Sequence, residues 1–321
     1  MKLWDKNNSV NEKIIEFTVG DDRLNDLCLI KYDIKASISH AKMLYRSNLL
    51  SEIECDKIIN ILNEILSQAE AGEFKIEKEF EDMHSKIEYI LTDKLGDIGK
   101  KIHTARSRND QVLVSIQLYL IDELNFIKTE VKSLFDLLIN LAKKNKNIIM
   151  PGYTHMRAAM PSSFGLWFSA YAEILIDDVI SLNSTIEIIN QNTLGSAAGY
   201  GTSFNIDRDF TTKDLNFKTL KYNSLACQIS RNKIEKNTFD AIGNIAFTLS
   251  KISMDICLYL GDEFQFISFP ENITTGSSIM PHKKNPDVFE IIRGKCNSIQ
   301  NLSNSANSVS YTHLTLPTIR L

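Results

Sequence analysis

Helix breakers are scarce in these 321 residues, with only 13 glycines and 6 prolines. So few interruptions leave little room for frequent turns and predict a mostly helical protein with long helices. The five cysteines, Cys28, Cys55, Cys227, Cys257 and Cys296, are scattered, odd in number and form no C-x-x-C pair. That excludes a disulfide framework and is met most simply in a reduced, cytoplasmic compartment. A formal net charge of −4 gives no whole-chain attraction to nucleic acid or anionic membrane. The opening MKLWDKNNSVNEK lacks an apolar core, so no signal peptide is expected. No run is expected to reach the roughly 18–20 apolar residues of a membrane span. What is present, 43% hydrophobic and 24% charged residues, is ordinary globular composition with enough chain for a large core or two domains.

Hydrophobic spacing supplies the positive evidence. Residues 36–70 read as helices, with Ile58, Ile59, Leu62, Ile65 and Leu66 on one face and Gly72 ending the pattern. EDMHSKIEYIL reads as a short helix, and the glycines of KLGDIGKKIH as a loop. Three seams then alternate spacings of three and four. The first runs Leu120, Leu124, Ile127, Val131, Leu134, Leu138, Leu141. The second runs Phe164, Phe168, Tyr171, Leu175, Val179, Leu182, Ile186, Ile189, and the third Ile242, Ile245, Leu249, Ile252, Ile256, Tyr259. Such regular stretches are expected to be rods of a bundle crossing at shallow angles. Apolar residues off the first seam, such as Phe126, Phe135, Leu137 and Ile139, predict a second buried face suited to subunit association. The last residues, SVSYTHLTLPTIRL, alternate like a strand and fit no rod, so an anomalous tail is expected from Ser308.

Polar groups concentrate in three segments beside the rods. His103–Val112, HTARSRNDQV, carries Arg106 and Arg108, able to fork onto carboxylates, with Ser107 and Asn109 as neutral donors. Taken alone it also reads as a polar helix cap. Pro151–Pro161, PGYTHMRAAMP, places Thr154 and His155 in a tight connection, and histidine suits proton transfer near neutral pH. A lone loop histidine is equally an ordinary surface residue. Thr274–Glu290 offers serine hydroxyls after Gly276, then Lys283, Lys284 and an expected helix start with Asn285 as N-cap and Pro286 in the first helical position. Lysines beside a helix N-terminus attract an anion, although a mobile basic loop has the same composition.

Other chemistries fit less well. The glycines of LGSAAGYGTSF lack the lysine and the strand-then-helix context of a phosphate loop. His84 lacks a second histidine at ligand spacing, so no metal is expected. Ser277 and His155 lack the G-x-S-x-G elbow of a hydrolase.

Gly276–Asn285, GSSIMPHKKN, resembles the signature loop of the aspartase/fumarase superfamily. Within it, HTARSRNDQ at His103–Gln111 and PGYTH at Pro151–His155 resemble blocks of the argininosuccinate lyases, and Glu81–His84 and Asn285–Asp287 agree. The resemblance runs from about Phe17 to about Ile299. It implies an all-α fold: a long-helix bundle of the aspartase/fumarase type with a smaller helical N-terminal domain, its C-terminal part missing. The expected divisions are residues 1–102, an incomplete bundle domain at 103–307, and the tail at 308–321.

By function, the resemblance implies reversible cleavage of argininosuccinate to arginine and fumarate, in arginine biosynthesis, by a homotetramer whose sites are shared between subunits. It implies no cofactor and no metal. Carried over, Ser277 takes the Cβ proton, and His155, held by Glu290, stands behind protonation of the leaving nitrogen. Thr154, Ser107, Asn109, Lys283 and Asn285 hold the carboxylate that enters fumarate, and Arg108 is a further candidate contact. The alternatives are another fumarate-releasing lyase, such as adenylosuccinate lyase, and an inactive fragment or crystallin-like structural protein. The chain departs from the family at His282, at Met156-Arg157, at Ala105 in place of a glycine, and in FTVGDD, which lacks a serine. The downstream tyrosine, glutamine and lysine of the family lie past its last residue.

Overall fold

The computed structural model describes residues 16–17, 19–276, 278–280 and 282–306. Ser277 and the expected tail at 308–321 therefore lie outside the described residues. The chain divides into two compact units, one of residues up to Asp122 with Glu187–Arg231, the other of Glu123–Ile186 and the residues from Asn232 onward. These units cut the chain elsewhere than the expected boundary at 102/103.

In the first unit, α1 (Ile30–Arg46), α2 (Glu52–Glu70) and α3 (Met83–Leu95) pack around one apolar core. Ile34, Met43 and Leu44 of α1 meet Ile58, Leu62 and Ile65 of α2 and Met83, Ile87 and Leu91 of α3, all buried. The predicted face of α2 is thus the buried one. The ends are set by local chemistry. Ser51 and Glu54 form a reciprocal capping box at the start of α2, and the Asp82 carboxylate accepts from Ser85 N to start α3. The expected loop in KLGDIGKKIH is a short helix, Asp97–Lys100, followed by a 3-10 turn, Lys101–His103. Gly96, at φ +60°, makes the break before it.

The long helix α4 (Arg108–Lys144) has 37 residues, and its first part belongs to the first unit. From Glu187 onward that unit adds the last turn of α5 (Phe164–Ile189), α6 (Arg208–Asp214) and α7 (Ser224–Ile229). A two-residue parallel pair also joins Gln191–Asn192 to Thr219–Leu220.

The second unit holds the remainder of α4 and α5, with α8 (Lys233–Leu260) and α9 (Asp287–Gln300). The three predicted seams are realised: Leu124, Val131, Leu138, Leu175, Leu182, Ile245 and Ile252 are buried. Of the off-seam residues, Phe126 and Leu137 are exposed at 62% and 54%. Helix α8 corrects one expectation. By length and composition it is long and apolar enough to cross a membrane, and about a third of its most apolar stretch is buried. Asn244, Ser250 and Lys251 interrupt its apolar run.

The connection between α4 and α5 is an antiparallel hairpin, β1 (Ile149–Thr154) with β2 (Arg157–Ser163). Pro151 and Pro161 face each other across it, tolerable because neither strand has a further neighbour in its sheet. His155 and Met156 form the tip at φ +49° and +62°, the geometry of a two-residue turn that glycine or asparagine would normally fill.

Candidate active site

The first unit carries the segment His103–Val112 at the entrance of α4. Ser107 is the cap: its Oγ accepts from Asn109 N at 3.3 Å. Asp110, fully buried, reaches back to accept from Ser107 N at 2.9 Å. Its other oxygen accepts from Gly195 N at 2.9 Å and Ala197 N at 3.0 Å. Burial pushes the Asp110 carboxyl up from its usual value, and these backbone donors resist. One carboxylate thereby fixes Ser107 and Asn109 against the glycine-containing loop 194–201. Gly195 is required there: it sits at φ +85°, and a Cβ would lie 2.9 Å from Arg208 Cγ.

The two arginines of the segment are internally committed. Arg106 is buried and donates to Ser37 Oγ at 2.8 Å. Arg108 forks onto Glu88, at 3.0 and 3.3 Å, and donates to Gln111 at 2.6 Å. The expected fork onto a carboxylate therefore exists, but the carboxylate belongs to α3 of the same chain. Burial would raise the Glu88 carboxyl, yet His103, Arg108 and Arg106 hold it at about 2. Burial and the Arg106 charge push His40 down to about 3, so its ring is neutral. Its Nε2 lies 2.9 Å from the Thr104 carbonyl, an acceptor, so that nitrogen carries the proton.

The second unit carries the other two segments. Thr154 and His155 are exposed at the hairpin tip. The hairpin is anchored by Tyr153, whose ring meets Phe264 at 5.4 Å and Phe266 at 6.3 Å. The expected hold of Glu290 on His155 is not made within one chain: both side chains are exposed, and no hydrogen bond or ion pair joins them. The third segment is a loop pinched at its base, where Thr275 and Asn285 exchange backbone hydrogen bonds of 2.9 and 3.4 Å. Asn285 is consequently not the N-cap of α9. That position falls to Pro286, with no side-chain cap bond, because the Asn285 backbone is held in the bridge. Acidic Asp287 and Glu290 occupy the first turn of α9, and Lys284 pairs with Glu271 at 3.4 Å. Attraction for an anion is therefore left mainly to Lys283, which is exposed with no ion pair among the described residues.

The lyase family model matches residues 16–301. The argininosuccinate lyase of Phocaeicola vulgatus is 51% identical over 301 residues, covering 94% of this chain and 68% of its own length. The chain belongs to the argininosuccinate lyase family. It spans about two thirds of that relative. Among solved structures, EDDS lyase in complex with formate superposes with a TM-score of 0.81 at 24% identity, over 94% of this chain and 61% of that one. Class II fumarase from Schistosoma mansoni gives 0.75 at 19% identity, over 94% and 72%. Both likenesses speak to the fold, the long-helix bundle of the aspartase/fumarase type.

In this family setting, the structure brings Ser107, Arg108 and Asn109 together at one helix entrance. Thr154 with His155, and Lys283 with Asn285, occupy separate loops of the second unit. Two features escaped the sequence reading. One is the buried lattice of Asp33, His84, Gln111 and Ser115, foreshadowed only by the EDMH match. The other is the fastening of the glycine loop to Asp110. Among the described residues no cluster of three or more His, Cys, Asp or Glu side chains is placed to hold a metal.

Proposed function

We propose that this chain performs the reaction of its family, eliminating fumarate from argininosuccinate and leaving arginine. A Cβ proton departs, the C–N bond breaks as the C=C bond forms, and the leaving guanidino nitrogen gains a proton. The proton beside a carboxylate is weakly acidic, because its removal adds charge to that carboxylate. Donors must therefore be aimed where the second negative charge develops.

Ser107 and Asn109, Thr154, Lys283 and Asn285 are assigned to the substrate carboxylate, and Ser277 to the proton abstraction. Positive surroundings lower the pKa of a serine hydroxyl and make it a usable base. His155, with Glu290 of a neighbouring subunit, is assigned to the leaving nitrogen. Arg108 is assigned to holding Glu88 rather than to the substrate.

A homotetramer is the proposed working form, with each site completed by loops of different subunits, and the cytoplasm its proposed location. Exposed Leu166, Ile174, Ile176 and Ile180 on α5 support association, since a lone chain leaves them in water.

The observation that carries the reading is the presentation of Ser107 and Asn109: capped, braced by a buried carboxylate, and placed at a helix entrance that favours anions. The test is fumarate absorbance after adding argininosuccinate to the chain extended through the C-terminal length its relatives have. Fumarate should accumulate. Silence with argininosuccinate, and turnover of adenylosuccinate instead, would overturn the assignment.

A further inference from the structure

We propose that Arg231 is a substrate-binding residue, which orients the Asn109 amide and adds a positive charge for the same substrate carboxylate. Arg231 Nη1 lies 3.4 Å from Asn109 Oδ1. A guanidinium only donates, so the oxygen end of the amide must face it. That choice turns the Asn109 Nδ2 donor away from Arg231 and leaves it for another acceptor. Arg231 is exposed and has no ion-pair partner among the described residues. An unpaired cation beside an amide already assigned to an anion completes a binding pair.

The pair is held in register by a ring of hydrogen bonds within one unit. Asp110, next to Asn109, accepts from Gly195 N and Ala197 N. Gln228 Nε2 then donates to Ser196 Oγ and to the Ala197 carbonyl, each at 3.1 Å. Arg231 N donates to the Gln228 carbonyl at 3.2 Å, and buried Ser230 donates to the Cys227 carbonyl at 2.6 Å. The turn carrying Arg231 is thus fixed to the loop that is fixed to Asp110. A side chain on such a support arrives with little further ordering to lose. Nothing in the sequence pattern singles Arg231 out, since it lies 122 positions from Asn109.

This assignment rests on the proposed function, and the experiment separates the two. Arg231→Gln and Arg231→Lys are made in the extended chain. Argininosuccinate is followed by initial rates, and fumarate binding by calorimetry. Because the side chain is exposed, both variants should melt with the parent. The glutamine variant should raise KM and the Kd for fumarate on the order of 10- to 100-fold, as expected for losing a charged hydrogen bond. Its KM should also depend less on salt, and lysine should recover part of the loss. A merely structural role would leave the salt dependence untouched. If the parent turns over while KM, Kd and salt dependence are unchanged in Arg231→Gln, the inference alone is overturned. If the parent neither turns over nor binds fumarate, the proposed function falls and this inference with it.

Discussion

His84 Nδ1 faces Asp33 Oδ1 at 3.0 Å, with both side chains closed to water. Gln111 and Ser115 of α4 donate to the same carboxylate, so Asp33 ties α1, α3 and α4 together beneath the His103–Val112 segment. Burial would raise this carboxyl, but His84, Arg106 and Gln111 bring it to about 2. An unfolded aspartate titrates near 3.9. The folded state therefore gains its full benefit above about pH 4 and loses it as pH falls toward 2. Urea midpoints measured from pH 5 to pH 2 should drop across that window. Asp33→Asn should lower the midpoint at pH 5 and flatten the drop, and an unchanged slope would show that Asp33 has no part in acid sensitivity.

Arg108 and Glu88 give a second test, one that separates stability from catalysis. Glu88 is buried and Arg108 covers it. Removing the guanidinium leaves a buried carboxylate without its main cation, so Arg108→Met should cost about 2–3 kcal/mol of unfolding free energy. Adding Glu88→Gln should return part of that loss, because the stranded charge is gone. A residue serving the substrate alone would leave denaturation curves unchanged.

The rods were readable because their seams persist over many turns, long enough for spacing to outweigh local exceptions. The hairpin was not. PGYTHMRAAMP is exposed except for half-buried Gly152, so no buried face imprints an alternating pattern, and His155-Met156 replaces the residues that usually announce such a turn. Asn285-Pro286 carries the composition of a helix start, yet the bridge to Thr275 takes the asparagine backbone first. The three polar blocks were legible as motifs of the family. Their supports, Asp110 on Gly195 and Gln228 on Ser196, were not, because long-range pairs leave no periodic trace. Arg108 shows the same limit: its forked geometry was foreseeable from chemistry, but its partner came from the fold.

Ala105 shows how a departure from a family pattern gains a physical reason. It occupies φ +57°, where a Cβ is disfavoured and a glycine would be at ease. Ala105→Gly should therefore relieve local strain while adding some freedom to the unfolded chain. The net gain should be about 0.5–1 kcal/mol, seen as a small rise in melting temperature. A fall of that size would mean that the Ala105 methyl contributes packing that outweighs its backbone cost.

Lys283 gives the sharpest contrast between folding and function. Its side chain is exposed and without an ion pair among the described residues, so Lys283→Met has no native contact to break, and its denaturation midpoint should match the parent. In the proposed reaction the same ammonium faces charge that grows from substrate to transition state. Its loss should then raise KM and lower kcat together, by more than tenfold in kcat/KM. If only KM changed, the lysine would bind ground state and transition state alike. If neither changed while fumarate formed at the parental rate, Lys283 would lie outside the site, and the anion would depend on the donors of α4 and the hairpin instead.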